Sequence, residues 1–209
     1  MLIVTDNYFF GAAFNHKNSS AIIQPEELIK QYKNKQLCIS NDTTIIVCIK
    51  SHTLLLEVIK MLLKFRIKNL FIYIKSINEN SLKLDVSNVF IISGKLRPQK
   101  FIEIINQAQQ KKYNLPIVKL EKITPRDWGV LLFLFRGLDR KIISTLFHIS
   151  EKAISLRVNL VCSKLKIPHG NRAQKIHTLE VFFTIYHSRN NERKKDQDST
   201  SNMACALHI

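Results

Sequence analysis

The chain's 209 residues carry 32 Lys and Arg against 16 Asp and Glu, a formal charge of +16 with a pI near 9.8, and 45% are hydrophobic. That apolar share can bury a core and excludes a wholly disordered chain, and the length suits a module of about 65 residues beside a domain of about 120. The first 120 residues hold 17 basic and 8 acidic side chains and the remainder 15 and 8, so both halves suit a polyanionic partner and charge alone singles out neither.

The opening MLIVTDNYFF lacks the basic start and long apolar stretch of a secretory signal, and Asp6 interrupts it. Leu2 to Thr5, Ala21 to Ile23, Thr44 to Ile49, Leu70 to Ile74 and Val89 to Ile92 are short β-rich runs. Helical patterns lie between them. Pro25 to Tyr32 has Glu26 and Glu27 in its first turn, His52 to Phe65 follows, and Pro98 to Gln110 places Phe101, Ile104, Ile105 and Ala108 on one face. The alternation predicts a parallel sheet between helices, a flavodoxin-like α/β domain over residues 1–110. The segment from Ile77 to Asn88 is too short and polar to predict a helix. Cys38, Cys48, Cys162 and Cys205 have no CxxC spacing and the seven histidines are scattered, so reduced thiols and no metal site are expected.

Asn114 and Pro116 break helix periodicity, so residues 111–119 read as a linker. Beyond it come three short helices joined by tight turns. Thr124 is placed to N-cap the first, with Pro125 at its first position and Asp127 at capping-box spacing, and Gly137 reads as its stop. The second restarts at Asp139 and ends near Phe147, and Ser150 caps a third opened by Glu151. On that third helix Ile154, Val158, Val161 and Leu165 form an apolar stripe, expected to seat on Val130, Leu131, Leu134, Ile143 and Phe147. Lys152, Ser155, Leu156, Asn159, Ser163 and Lys166 lie off the stripe. A seated helix with such a face suits a major groove, and the same pattern describes any solvated amphipathic helix.

The run ITPRDWGVLLFLFRGLDRKIISTLFHISEKAISLRVNLVCSKLKIP resembles the LuxR-type DNA-binding domain shared with NarL- and FixJ-like response regulators. Thr124, Pro125, Arg126, Asp127, Val130, Leu131, Gly137, Lys141, Ile143, Ile149, Ser150, Glu151, Lys152, Ile154, Lys164 and Leu165 match in register. The resemblance implies an all-α four-helix domain over 120–187. Its helix-turn-helix would span 138–157, and Asn171 to Tyr186 would form the fourth helix, through which related domains dimerise. Departures fall at Gly129, Phe135, Ile142, His148, Ala153, Ser155 and Arg157, where the family commonly has Glu, Ala, Glu, Gly, Thr, Lys and His. Phe135 leaves extra apolar surface, to be met by the N-terminal domain, a partner or a rearranged core.

By the same resemblance Ser155, Leu156 and Asn159 are the expected base contacts. Asn159 is the one able to pair bidentately, with adenine by preference, while Lys141, Lys152, Arg157 and Lys164 go to phosphates. Ahead of such a module the α/β domain resembles a response-regulator receiver. Yet Asp6 has Thr5 as neighbour, the third strand ends in Ile49, Lys50 and Ser51 with no carboxylate to phosphorylate, and Ser76 and Lys95 match only loosely. A degenerate receiver without a phosphorylation site is expected. Residues 188–209 read as a disordered polar tail, solvated or adding nonspecific DNA affinity.

No Walker A loop, GxGxxG after a strand, HExxH or nucleophile elbow is present, so no catalytic residue, cofactor or enzymatic activity is expected. The resulting expectation is a cytoplasmic, nucleoid-associated bacterial transcription regulator without membrane association. It would bind double-stranded DNA as a dimer with itself or with another LuxR-type regulator. The alternative is a protein-interaction factor, or a ligand-sensing α/β domain, with weak or no specific DNA binding.

Overall fold

The structure is a computed structural model that describes residues 1–15, 20–74, 77, 82–84, 88–110, 115–120, 123–167 and 171–205, without the side chains of Asn15, Pro98 and 189–205. Ser76 lies outside the described residues. The first domain comprises β1 (Leu2–Thr5), α1 (Tyr8–Asn15), β2 (Ala21–Ile23), α2 (Pro25–Lys33), β3 (Thr44–Cys48), α3 (His52–Leu62), β4 (Asn69–Ile74), β5 (Leu82–Leu84), β6 (Val89–Ser93), α4 (Pro98–Gln109) and β7 (Ile117–Val118). They build one seven-stranded sheet of order β2-β1-β3-β4-β6-β5-β7. With β6 counted as the fifth strand, its parallel part has the flavodoxin-like order 2-1-3-4-5, as expected.

Strand periodicity explains why both faces are apolar. Val4, Ile45, Val47, Leu70, Ile72, Val89 and Ile91 join the core under α2 and α3, while Ile3, Ile46, Phe71, Phe90 and Ile92 face α1 and α4. These alternations place successive side chains on opposite sides of a sheet that helices cover twice.

Three features differ from the sequence reading. Helix α1 was not foreseen: Asn7 Oδ1 accepts the N–H groups of Phe9 and Phe10, and Phe10 and Phe14, one turn apart, pack on Phe101. Strand β5 runs antiparallel to β6 where a crossover helix would stand in a receiver, its Leu82 and Leu84 buried. The expected linker is part of the sheet, for Ile117 and Val118 pair in parallel with Lys83 and Leu84. Val118 and Leu120, two residues apart and both buried, explain why it extends. The α/β domain therefore runs on to Val118 rather than closing at residue 110, and residues 111–114 of that linker lie outside the described set.

The second domain is helical: α5 (Pro125–Phe135), α6 (Arg140–Phe147), α7 (Glu151–Lys164) and α8 (Arg172–Cys205). The expected fourth helix begins at Arg172 and does not stop at Tyr186. Residues 188–205 continue α8, in place of the disordered tail expected there. The run has no Pro and no Gly to end a helix already nucleated by packing.

Helix α8 joins the two domains. Leu179, Phe182 and Ile185 are fully buried, and the helix rests on both α3 and α5. Trp128 of α5 lies against Phe183 and Tyr186, and Phe135 meets Phe183 edge-on at 5.3 Å. The extra apolar surface of Phe135 is thus taken up by α8, beside Lys60 of α3 in a shared recess. Across the joint His52 Nε2 lies 2.7 Å from Glu180 Oε2, and the His52 ring stacks on His177 at 4.1 Å. Burial there, helped by His52, pulls the His177 pKa down, with Glu180 pulling the other way.

Candidate nucleic-acid interface

Each turn around α6 and α7 has a local cause. Thr124 Oγ1 accepts the Asp127 N–H at 3.1 Å and donates its own proton to Asp127 Oδ2 at 2.7 Å. Gly137 closes α5 at φ 76°, its N–H on Leu134 O and that of Leu138 on Phe133 O, the paired bonds of a Schellman turn. Asp139 caps α6 through the Lys141 N–H, and Ser150 caps α7 through the Ala153 N–H. His148 takes the left-handed conformation at φ 51°, at the position where the family commonly has Gly. Gly129 is explained by Phe147, whose ring a Cβ at residue 129 would meet at 3.3 Å.

The apolar stripe is seated as expected. Ile154, Val158, Val161 and Leu165 are buried with Val130, Leu131, Leu134 and Ile143 in one cluster, and Phe147 packs against it. On the other side Leu156 is 59% exposed, and Lys152 and Asn159 are exposed. Ser155 is half-buried and its hydroxyl donates back to Glu151 O at 3.2 Å. The Asn159 amide is engaged within the chain: Lys175 Nζ of α8 donates to Asn159 Oδ1 at 3.2 Å. Sequence reasoning missed Lys175, because no periodicity links residues on two helices joined by a loop.

Of the residues expected at phosphates, Lys141, Lys152 and Lys164 are exposed on the same domain. Arg157 is placed differently: its Nη1 donates to Asp127 Oδ1 at 2.6 Å, clamping α7 to the start of α5. Burial pushes the Asp127 pKa up. Hydrogen bonds from Thr124 and Arg157, with the charges of Arg157 and Lys164, outweigh it and hold the carboxyl below its ordinary range.

At the carboxyl ends of the strands, Asp6 accepts the Lys50 backbone N–H at 2.9 Å and 3.1 Å. Thr5 Oγ1 accepts the Asn7 N–H, and burial pushes the Cys48 thiol up to about 12. The end of β3 thus offers the backbone N–H of Lys50 to Asp6. Among the described residues no cluster of His, Cys, Asp and Glu is arranged to hold a metal ion, and no helix is long and apolar enough to cross a membrane.

No protein-family model and no curated protein matches the chain. Solved structures that resemble it include RcsB dimers bound to two parallel DNAs, at 16% identity and a TM-score of 0.43 over 86% of this chain and 97% of that one. RcsB from Salmonella enterica serovar Typhimurium, bound to promoter rprA with a phosphomimetic, gives 15% and 0.47 over 87% and 98%. Full-length FixJ from B. japonicum gives 11% and 0.33 over 89% and 97%.

Proposed function

We propose that the chain is a sequence-specific DNA-binding transcription regulator that acts as a dimer, with itself or with a related regulator, and without aspartyl phosphorylation. The observation that carries this reading is α7 itself: capped by Ser150, seated by its buried stripe, and turning Lys152, Leu156 and Asn159 outward. Ser155, Leu156 and Asn159 are assigned to base edges and Lys141, Lys152 and Lys164 to phosphates. Arg157 serves first to hold α7 in place, through Asp127. Exposed Tyr8, Phe9 and Ile22 supply an apolar corner on the α/β domain that suits pairing with a second regulator.

Asn159→Ala is expected to cost about 1 to 3 kcal/mol on the preferred site and to relax selection at one base pair. Lys152→Ala is expected to weaken all DNA alike and to reduce the salt slope by about 1. Titrations at several salt concentrations on matched and scrambled duplexes check both. Equal loss on all sequences for Asn159→Ala would remove it from the base contacts. The end of β3, where Cys48, Ile49, Lys50 and Ser51 stand and no carboxylate does, supports the absence of a phosphate switch. Incubation with acetyl phosphate and magnesium is expected to leave the intact mass unchanged, and an acid-labile gain of one phosphoryl group would refute that part.

A second reading, a protein-interaction factor, is favoured by exposed Ile142 and Leu146 on α6 and Leu156 and Leu160 on α7. Association that is DNA-independent and insensitive to salt would support it over the first.

A further inference from the structure

Asn159 offers a reading helix one amide, and Lys175 has already engaged half of it. An ammonium has donors only, so the amide atom facing Lys175 Nζ at 3.2 Å is the oxygen, and the two N–H groups of Nδ2 are left for another partner. Resting on the DNA-binding reading above, we propose that Lys175 sets the base preference of Asn159, turning an amide suited to adenine into a donor edge that selects guanine.

Pairing with adenine requires the amide to donate to N7 and to accept from the N6 amino group, whereas guanine presents two acceptors, N7 and O6. One lone pair of Oδ1 is taken by Lys175. The second sits beside a positive charge that repels the N6 amino protons and attracts O6. The two spare ammonium protons add to the same donor edge. Arg140 and Arg172 line the same recess of about 170 Å³ with Ser155, Asn159 and Lys175, so the surrounding field has the same sign. Lys175 is half-buried there, held close to the reading helix rather than free to range over the surface.

The test is selection of duplexes from a random pool by the full chain and by Lys175→Met and Lys175→Arg, with thermal denaturation to verify folding. The wild-type chain and Lys175→Arg are expected to select guanine at the position that Asn159→Ala relaxes. Lys175→Met should move that position toward adenine, by about tenfold in relative affinity. An unchanged preference in Lys175→Met, or adenine in the wild-type selection, overturns the proposal and leaves the DNA-binding reading intact. A uniform loss on all sequences with a shallower salt slope also overturns it, by making Lys175 a phosphate contact. If the wild-type chain enriches no common sequence, the DNA-binding reading falls and the proposal with it.

Discussion

Trp128→Ala is expected to destabilise the protein by about 3 to 5 kcal/mol, the cost of emptying a large aromatic site that cannot collapse. Trp128 is 4% exposed, stacks on Tyr186 at 5.4 Å and meets Phe183 edge-on at 5.3 Å. It is thereby an apolar anchor between α5 and α8. Its Nε1 is buried with no hydrogen-bond partner among the described residues. Trp128→Phe, which keeps a ring and removes that N–H, is therefore expected to cost much less, about 1 to 2 kcal/mol. Circular dichroism in urea checks both variants. Because Trp128 is the chain's single Trp, wild-type fluorescence reports directly on this joint. A loss below about 1 kcal/mol for the alanine variant would mean that α8 does not dock on α5 in solution.

Removing the Asp127 carboxylate is expected to have the next largest effect. Asp127→Ala keeps the backbone N–H that Thr124 caps but removes the acceptor of the Thr124 hydroxyl proton, and it leaves Arg157, its side chain 30% exposed, without its counter-charge. Losing that hydrogen bond costs about 1 kcal/mol and orphaning a cation that keeps some solvent access about 2 more, so a loss of about 3 kcal/mol is expected. The pH dependence follows from the depressed carboxyl. Folding favours the ionised form, so the contribution is fully present above the ordinary carboxylate pKa near 4 and is lost as pH falls through the lower folded value. The stability gap between the wild-type chain and Asp127→Asn should narrow from pH 5 to pH 2. A gap that stays constant over that range would show that the ion pair does not form in solution. On the proposed DNA-binding reading, the same variants should weaken binding without changing base preference, because α7 loses its orientation while the side chains assigned to bases remain.

Much of the architecture was legible because strong local signals agreed with the tertiary outcome. The strand runs at Leu2, Thr44, Leu70 and Val89, the caps at Thr124 and Ser150, the restart at Asp139 and the stop at Gly137 all combine short-range chemistry with a matching apolar period. What escaped the sequence depends on partners far along the chain. Strand β5 has three residues and β7 two, so β5 exists only because β6 and β7 supply hydrogen bonds, and β7 only because β5 does. Helix α1 has an Asn start and a Phe10/Phe14 pair, yet its apolar face is explained only by Phe101, far along in α4. The candidate interface divides in the same way. The stripe on α7 places Ser155, Leu156 and Asn159 off its apolar face, and the resemblance to LuxR-type domains singles them out there. The bonds that redirect Arg157 to Asp127 and Asn159 to Lys175 cross between helices, so no periodicity within α7 announces them.

The short β7 carries a consequence for how the protein ages and fails. Its two residues shield one side of β5, the last strand before the sheet would end in open backbone. Were the connector cleaved or peeled away, Leu82 to Leu84 would present unpaired N–H and C=O groups beside a buried apolar core, the arrangement that recruits foreign strands. Loss of β7 would thus expose an adhesive rim, whereas separating the domains beyond Leu120 would leave it covered. Fragments of the first domain that end at residue 110 should aggregate where fragments ending after Leu120 stay dispersed.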